Sequence, residues 1–162
     1  MTISIARADY RNPAHAEALL IVLDSYAHDP MGGGEGLKDG AKRNLIGALA
    51  ERPHAFSVLA FDGELPVGLI NCFEGFSTFA ARPLVNIHDV AVVPAYRGKG
   101  IARLMMAEVE RIAVERGCCK LTLEVLGANE GAKALYQKLG YGGYELGSAT
   151  GVAEFWQKKL VY

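Results

Sequence analysis

The sequence predicts one mixed α/β domain over residues 1–162, with a central twisted mixed β-sheet of about six to seven strands and about four flanking helices. Two patterns support this prediction. Short apolar, β-branched runs bounded by turn residues indicate strands, and longer segments with apolar residues at helical spacing indicate helices. The two kinds of segment interleave along a length that fits one domain, without an internal repeat or a compositional boundary.

The N-terminal half contains both kinds of element. Pro13 suits the first turn of a helix, because its missing N–H would have no partner there. The segment Asp29–Gly40 contains five glycines and one proline, so a mobile loop is predicted for it. The predicted elements of this half are the strand Ser4–Ala8, the helices Ala14–Ala27 and Ala41–Glu51, and the strands Phe56–Phe61 and Pro66–Phe73.

The C-terminal half begins with a predicted connection, Glu74–Pro83. Asn129 suits a helix N-cap, and Gly117 and Gly140 suit the ends of two helices. The first of these helices is expected to bury Ile101, Leu104, Met105, Val109 and Ile112. The predicted elements are the strand Leu84–Val93, the helix Ile101–Arg116, the strand Lys120–Leu126, the helix Glu130–Leu139, and two final strands near Tyr144 and at Ala153–Leu160.

Composition limits the partners of this chain. Seventeen basic and eighteen acidic residues give a formal net charge of −1, so no nucleic-acid partner is expected. The apolar runs are too short for a membrane span and the N-terminus lacks a secretory signal, so no membrane partner is expected. Three cysteines, Cys72, Cys118 and Cys119, have neither disulfide nor zinc-site spacing. We therefore expect a cytoplasmic location and no metal.

The segment Asn86–Ala102 carries the main functional signal. Its apolar, β-branched part ends at Pro94, and the basic turn Arg97–Gly100 (RGKG) then opens directly into an amphipathic helix. Such a helix start presents backbone N–H groups and a positive partial charge, which suit a diphosphate. The two glycines allow close approach of a bulky anion, and the two basic side chains add positive charge. A phosphate-bearing cofactor is predicted here.

Two common phosphate loops do not match this turn. A Walker loop needs Ser or Thr after its lysine, and Lys99 is followed by Gly100. A dinucleotide-binding loop needs a third glycine, where this chain has Arg103, and an acidic residue about 20 positions later, which is missing. Both are excluded.

The pattern Arg97-x-x-Gly100-x-Ala102 resembles the Arg/Gln-x-x-Gly-x-Gly/Ala signature of the GNAT family of N-acetyltransferases. Its context is also similar, because a strand precedes it and a helix, a strand, Asn129 and a second helix follow it over about 55 residues. The resemblance implies the GNAT fold, acetyl coenzyme A (acetyl-CoA) as co-substrate, and a homodimer as a possible assembly.

The resemblance also implies how acetyl-CoA is held. The turn binds its diphosphate, and its pantetheine amides pair with the edge of the central strand, as another strand would. In the family this strand splays from its neighbour near a bulge. The residues implied to contact the coenzyme are Val90, Ala91, Val92, Arg97, Gly98, Lys99, Gly100, Ile101, Ala102, Arg103, Asn129 and Tyr136.

Attack of an amine on the thioester requires a base, because most amines are protonated near neutral pH. The resemblance implies that Tyr136 is the general acid for the coenzyme sulfur. Glu124, Asp89 and an ordered water are the candidate bases. Glu124 is expected on a covered face of an interior strand. Asp89 neighbours His88, and strict strand alternation allows only one of them to face the reacting carbonyl.

The first functional hypothesis is an N-acetyltransferase that transfers the acetyl group of acetyl-CoA to a primary amine, of a small molecule or a protein, by direct attack in a ternary complex. The alternative is a non-catalytic acetyl-CoA-binding sensor or partner-binding module. A longer acyl donor is a third hypothesis. The resemblance implies that Asp29–Gly40 and Tyr141–Gly151 wall the acceptor cleft, and acidic residues near it would suit a cationic amine.

Overall fold

The computed structural model describes residues 1–161 and contains five strands and four α-helices in that part of the chain. Two short 3₁₀ turns, Pro30–Gly32 and Pro94–Tyr96, accompany them. The elements are β1 Ile3–Arg7, α1 Pro13–His28, α2 Asp39–Ala50, β2 Ala55–Asp62, β3 Leu65–Ser77, β4 Arg82–Val92, α3 Ile101–Glu115, β5 Leu121–Leu123 and α4 Glu130–Lys138.

The chain divides into two units. The first unit, Met1–Leu123, contains the whole sheet and α1, α2 and α3. The second unit begins at Glu124 and contains α4. A single domain over residues 1–162 stays a prediction.

The sheet has the order β1-β2-β3-β4-β5. The first four strands pair antiparallel with their neighbours, whereas β5 pairs parallel to β4. A parallel pair needs a crossover connection, and α3 provides it between β4 and β5. The mixed α/β fold class predicted from the sequence is confirmed.

The predicted number of strands is too high for the described residues. The two final strands, near Tyr144 and at Ala153–Leu160, do not form, and this region has only one isolated antiparallel bridge, between Glu145 and Val152. Phe155 and Trp156 are 72% and 83% exposed. A strand needs a neighbour that accepts and donates backbone hydrogen bonds, and a single bridge does not supply a ladder.

Several predicted boundaries are also wrong. Glu74–Pro83 was expected to be a connection, but most of it belongs to the long β3–β4 hairpin, whose ladder continues to the pair Ser77 and Arg82. β5 is only three residues long, because its ladder with β4 ends at the pair Ile87 and Leu123. The second helix begins at Asp39, two residues before the predicted start.

Helices cover both faces of the sheet. On one face α1 and α2 bury an apolar cluster that includes Leu19, Leu49, Leu59 and Leu69. On the other face α3 buries four of its five predicted inner residues. The exception is Leu104, which is 42% exposed and was wrongly predicted to be buried. These two layers fix the sheet, and with it the C-terminal end of β4.

Leu69→Ala is expected to lower the free energy of unfolding by about 2–5 kcal/mol, because it removes a fully buried side chain and leaves a cavity. The matched control is Leu65→Ala on the same strand, where the side chain is 54% exposed and the expected loss is below about 0.5 kcal/mol. Urea unfolding of both variants measures the difference. Equal losses would contradict the described core.

Candidate active site

In the first unit, β4 leads into α3 through an uncapped, glycine-bearing turn. Gly98 and Gly100 have φ of +73° and +79°, a conformation that favours glycine. Gly100 is the N-cap of α3, and within the described chain no side chain caps this end and no acidic residue occupies its first turn. The first N–H groups of α3 are therefore available to an anion.

The two basic side chains of this turn have partners within the protein. Arg97 donates from Nε to the carbonyl oxygen of Val92 at 3.0 Å and forms an ion pair with Asp29, with 2.8 Å between Nη2 and Oδ2. The Nζ atom of Lys99 lies 4.6 Å from the centroid of the Tyr96 ring, a cation–π contact. In this conformation the backbone N–H groups, more than the Arg97 guanidinium, are directed to bind phosphate.

A carboxylate from β2 holds the start of the turn. Tyr96 donates its hydroxyl hydrogen to Asp62 Oδ2 at 2.9 Å, and Asp62 Oδ1 accepts from the N–H of Thr2 at 2.7 Å. The bond from Thr2, followed by the bond from Tyr96, lowers the pKa of Asp62. Sequence reasoning missed Asp62 and Tyr96, because no local pattern links residues 34 positions apart.

One edge of β4 lacks a neighbour along its last residues. The ladder to β3 continues to Val92, whereas the ladder to β5 ends at Ile87. In the sheet of the described residues, Asp89–Val92 therefore has no pairing partner on the β5 side. The predicted coenzyme-pairing residues, Val90, Ala91 and Val92, all lie in this segment, where their backbone groups could pair with the amides of a ligand.

β4 contains a bulge next to this segment. Asn71 of β3 pairs with Asp89 and the next residue, Cys72, pairs with Ile87, so His88 is the extra residue. Asn71 contacts Asp89, and the ring of Phe73 contacts the ring of His88 with 5.5 Å between centroids. Asn71 and Phe73 lie two positions apart on β3 and share a face, so their contacts Asp89 and His88 lie on that same face. The prediction that Asp89 and His88 face opposite sides is therefore wrong, because the bulge interrupts the alternation of side chains along β4.

Asp89 is the end of a row of four polar side chains that crosses the sheet. Tyr10 and Ser57 are joined at 2.8 Å between hydroxyl oxygens, Ser57 Oγ donates to Asn71 Oδ1 at 2.6 Å, and Asn71 Nδ2 donates to Asp89 Oδ2 at 3.0 Å. We call Tyr10, Ser57, Asn71 and Asp89 the polar row. Sequence reasoning missed its first three members, although a serine and an asparagine inside otherwise apolar strands were a visible signal.

Tyr26 of α1 lies close to two carboxylates. Burial raises the pKa of Tyr26, and the negative charges of Asp89 and Asp29 raise it further. Its hydroxyl donates to the carbonyl oxygen of Met31 at 3.4 Å. Asp89 and Asp29 thus both lie near one half-buried phenol. Asp29 is paired with Arg97, so the charge of Asp89 is the one that would attract a cationic group.

The segment predicted as a mobile loop has defined local structure. Asp29 caps the 3₁₀ turn by accepting from the N–H of Met31 at 2.9 Å, and this bond, followed by that from Arg97, lowers the pKa of Asp29. Asp24 accepts from the N–H of Leu37 at 2.8 Å and pairs with Lys42 at 3.2 Å. The last two residues of the segment Asp29–Gly40 belong to α2. Its mobility stays a prediction.

The second unit contains the other candidate residues. Asn129 caps α4 by accepting from the N–H of Ala132 at 3.2 Å, as predicted. Tyr136 is buried and its ring contacts that of Tyr141, with 6.0 Å between centroids. Glu124 is exposed and follows the last residue of β5. The expectation of a covered Glu124 is wrong, because the β5 ladder ends before this residue.

Two other features are absent from residues 1–161. No group of three or more His, Cys, Asp and Glu side chains has a geometry that could hold a metal ion. The helices found there are too short or too polar to span a membrane. The three cysteines are free, and burial raises the pKa of Cys72, so that its thiol stays protonated near neutral pH and is a poor nucleophile.

Comparison with known proteins decides the family. Residues 16–141 match the family model described as the Acetyltransferase (GNAT) family. The chain belongs to the GNAT acetyltransferase family. Members of this family use acetyl-CoA as the acetyl donor. In this GNAT protein the uncapped start of α3 suits the diphosphate of acetyl-CoA, and the open edge of β4 suits its pantetheine amides.

Two relatives illustrate the similarity. The chain is 36% identical to thialysine N-ε-acetyltransferase of Bos taurus over 78 residues, which cover 48% of this chain and 45% of that protein. It is 34% identical to streptothricin acetyltransferase of Streptomyces lavendulae over 120 residues, which cover 74% and 58%. The matched regions span about half the length of these relatives.

A solved structure extends the similarity of fold. AAC(6')-Iy, in complex with the bisubstrate analogue CoA-S-monomethyl-acetylneamine, superposes with a TM-score of 0.77 over 99% of this chain and 100% of that chain. The sequence identity is 18%, so this likeness establishes the GNAT fold alone.

Gly100→Ala is expected to weaken coenzyme A binding about tenfold, or about 1.4 kcal/mol, because alanine disfavours the positive φ that orients the start of α3. Gly117→Ala is the matched control at the other end of α3, with φ of +69° and likewise open space around a new Cβ. Both variants should lose about 1 kcal/mol of stability. Calorimetry with coenzyme A should distinguish them, and equal affinities would contradict the assignment of this turn.

Proposed function

We propose that this protein is an acetyl-CoA-dependent N-acetyltransferase that acetylates a primary amine, of a small molecule or a protein, by direct attack in a ternary complex. The observation that carries the proposal is the C-terminal end of β4. It presents an unpaired backbone edge, leads into an uncapped helix start, and holds a half-buried carboxylate at its bulge. Donor binding and proton removal are thus supported by one strand.

The donor site uses mainly backbone groups. The diphosphate binds the N–H groups at Gly98–Arg103, and Lys99 adds positive charge. The pantetheine arm pairs with the backbone of Val90–Val92 along the open edge. The amide of Asn129 contacts the same arm, an assignment that rests on the family resemblance.

The reaction needs one proton to leave the acceptor before attack. Acetyl-CoA supplies an activated carbonyl: the amine nitrogen forms a bond to the carbonyl carbon, the carbon–sulfur bond breaks, and coenzyme A leaves as a thiol. A base takes one proton from the acceptor's ammonium group before attack, and this proton is released to solvent. The nitrogen loses a second proton as the amide forms, the general acid gives a proton to the leaving sulfur, and the second nitrogen proton restores the acid. Tyr136 is the proposed general acid.

Asp89 is the base or ammonium-binding group that the structure favours. It is half-buried, one of its oxygens accepts from Asn71, and it lies near Tyr26. Glu124 is exposed, so burial does not fix the position of its carboxylate. An ordered water that contacts Asp89 would serve the same step.

A cationic acceptor is supported by the carboxylate of Asp89, which lies near Tyr26 and, unlike Asp29, has no ion-pair partner among the described residues. The relatives point to the same class, since streptothricin and thialysine, named in two of them, are amines. A cytoplasmic location and the absence of nucleic-acid and membrane partners remain parts of the proposal that come from the sequence, and a homodimer is an assembly that only the family resemblance implies.

Purified protein with acetyl-CoA should release coenzyme A thiol when a suitable amine is added. The panel contains a polyamine, an aminoglycoside, free lysine and a peptide with a free α-amine, with the N-acetylated form of each as its control. Thiol release above the hydrolysis rate with at least one amine is expected. Coenzyme A binding without turnover across the panel would favour the sensor or partner-binding alternative, and loss of both would reject the whole proposal.

Tyr136→Phe is expected to lower kcat by about 10²-fold, the lower end of the contribution of a general acid. The substitution keeps the buried ring beside Tyr141 and removes only the hydroxyl. Calorimetry should give unchanged coenzyme A affinity, and the melting temperature checks the fold. Turnover equal to that of the unmodified protein would remove this role from Tyr136.

A further inference from the structure

We infer that Tyr10, Ser57 and Asn71 are positioning residues that fix one oxygen of Asp89, so that its other oxygen faces the acceptor amine. This inference rests on the proposed function and deepens it, because neither the local motifs nor the family resemblance implies a role for these three residues. The polar row is a run of three side-chain hydrogen bonds through the buried Ser57 and Asn71 that ends on Asp89, a candidate catalytic group.

The row follows from strand register. Ser57 pairs with Asn71 across β2 and β3, and Asn71 pairs with Asp89 across β3 and β4, so the three side chains are direct cross-strand neighbours on one face. Tyr10, between β1 and α1, reaches the outer end of this line. The bulge at His88 is what brings Asp89 into register with Asn71.

The hydrogen bonds of the row have one direction. Ser57 has a single hydroxyl hydrogen and donates it to Asn71 Oδ1, so Tyr10 must donate to Ser57 Oγ. Asn71 then donates from Nδ2 to Asp89 Oδ2. Each donor points toward Asp89, and hydrogen bonds in such a chain strengthen one another. A carboxamide does not readily pass a proton on, so the row orients the carboxylate and does not conduct protons.

The second oxygen of Asp89 is the reactive one in this arrangement. Among the described residues, Asp89 Oδ1 has no hydrogen-bond partner, whereas Oδ2 is held by Asn71. The other titratable groups near Asp89 are Tyr26 on α1, Cys72 on β3 and the adjacent His88. Of these, Tyr26 and Cys72 are neutral near pH 7, because the pKa of each is raised.

The fold alone does not need this row. Ser57 is 0% and Asn71 is 4% exposed, and they lie on the face that otherwise packs apolar residues such as Leu59 and Leu69 against α1. A buried polar row must be fully satisfied to be tolerated, and apolar residues of similar volume would stabilise the same face at least as well. The presence of this row at the bulge therefore points to function.

The test is a double-mutant cycle on turnover of the best amine from the panel. Asn71→Leu should lower kcat about tenfold or more, with an unchanged KM for acetyl-CoA, because the Asp89 carboxylate loses its fixed orientation. In an Asp89→Asn background, the same Asn71→Leu change should alter kcat by less than about twofold, since the group that it positions is gone. Tyr10→Phe, at the far end of the row, should have a smaller effect than Asn71→Leu.

The matched control is Asn86→Leu, which is also on β4. It removes a cross-strand hydrogen bond of 3.1 Å from Asn86 Nδ2 to Thr122 Oγ1 and leaves the polar row intact. Its kcat should change by less than about twofold. If Asn71→Leu does not fold, Ser57→Ala takes its place in the cycle, because it removes one hydroxyl and little volume.

Two outcomes would overturn the inference in distinguishable ways. In the first, the unmodified protein is active, and Asn71→Leu or Ser57→Ala lowers kcat by the same factor whether residue 89 is Asp or Asn. This outcome would reject the positioning role alone. An unmodified protein that acetylates no amine would reject the proposed function together with the role of the row. Losses that disappear in the Asp89→Asn background support the inference.

Discussion

The candidate site depends on the unequal pairing of β4. On one side its ladder to β3 is continuous except at the bulge and reaches Val92, while on the other side its ladder to β5 ends at Ile87. The first ladder holds the strand rigidly in the sheet, and the early end of the second leaves the backbone of Asp89–Val92 open. A fully paired strand would have no groups left for a ligand's amides, and an edge strand without the first ladder would not hold them in place.

The same strand also positions the groups at its end. The 3₁₀ turn Pro94–Tyr96 follows it, and the bond from Tyr96 to Asp62 ties this turn back to β2. The uncapped start of α3 is therefore placed by contacts within the sheet, while α3 itself is held by its buried face. The ion pair between Arg97 and Asp29 joins the proposed donor-binding turn to the segment after α1. The regions proposed to bind donor and acceptor in the first unit thus share one charged contact.

The bulge gives β4 a second function. The extra residue His88 places Asp89 on the same face as Asn71, so that side-chain hydrogen bonds connect β2, β3 and β4. The result is a half-buried carboxylate with one oxygen held by a neutral donor and no cation paired with it among the described residues. Such a group keeps its capacity to bind or deprotonate a cationic amine, whereas a carboxylate in an ion pair would already be neutralised.

The local sequence determined much of this protein. The Arg97–Ala102 pattern, the helix start after it and the Asn129 cap each depend on residues close together in the chain, and the resemblance to the GNAT family depends on the same short motifs. Tertiary structure alone decided the rest. The end of the β5 ladder exposed Glu124, the bulge put Asp89 and His88 on one face, and register assembled Tyr10, Ser57, Asn71 and Asp89. Each of these features depends on which strands pair and in what register, and strand pairing joins residues too far apart in sequence for local patterns to reveal.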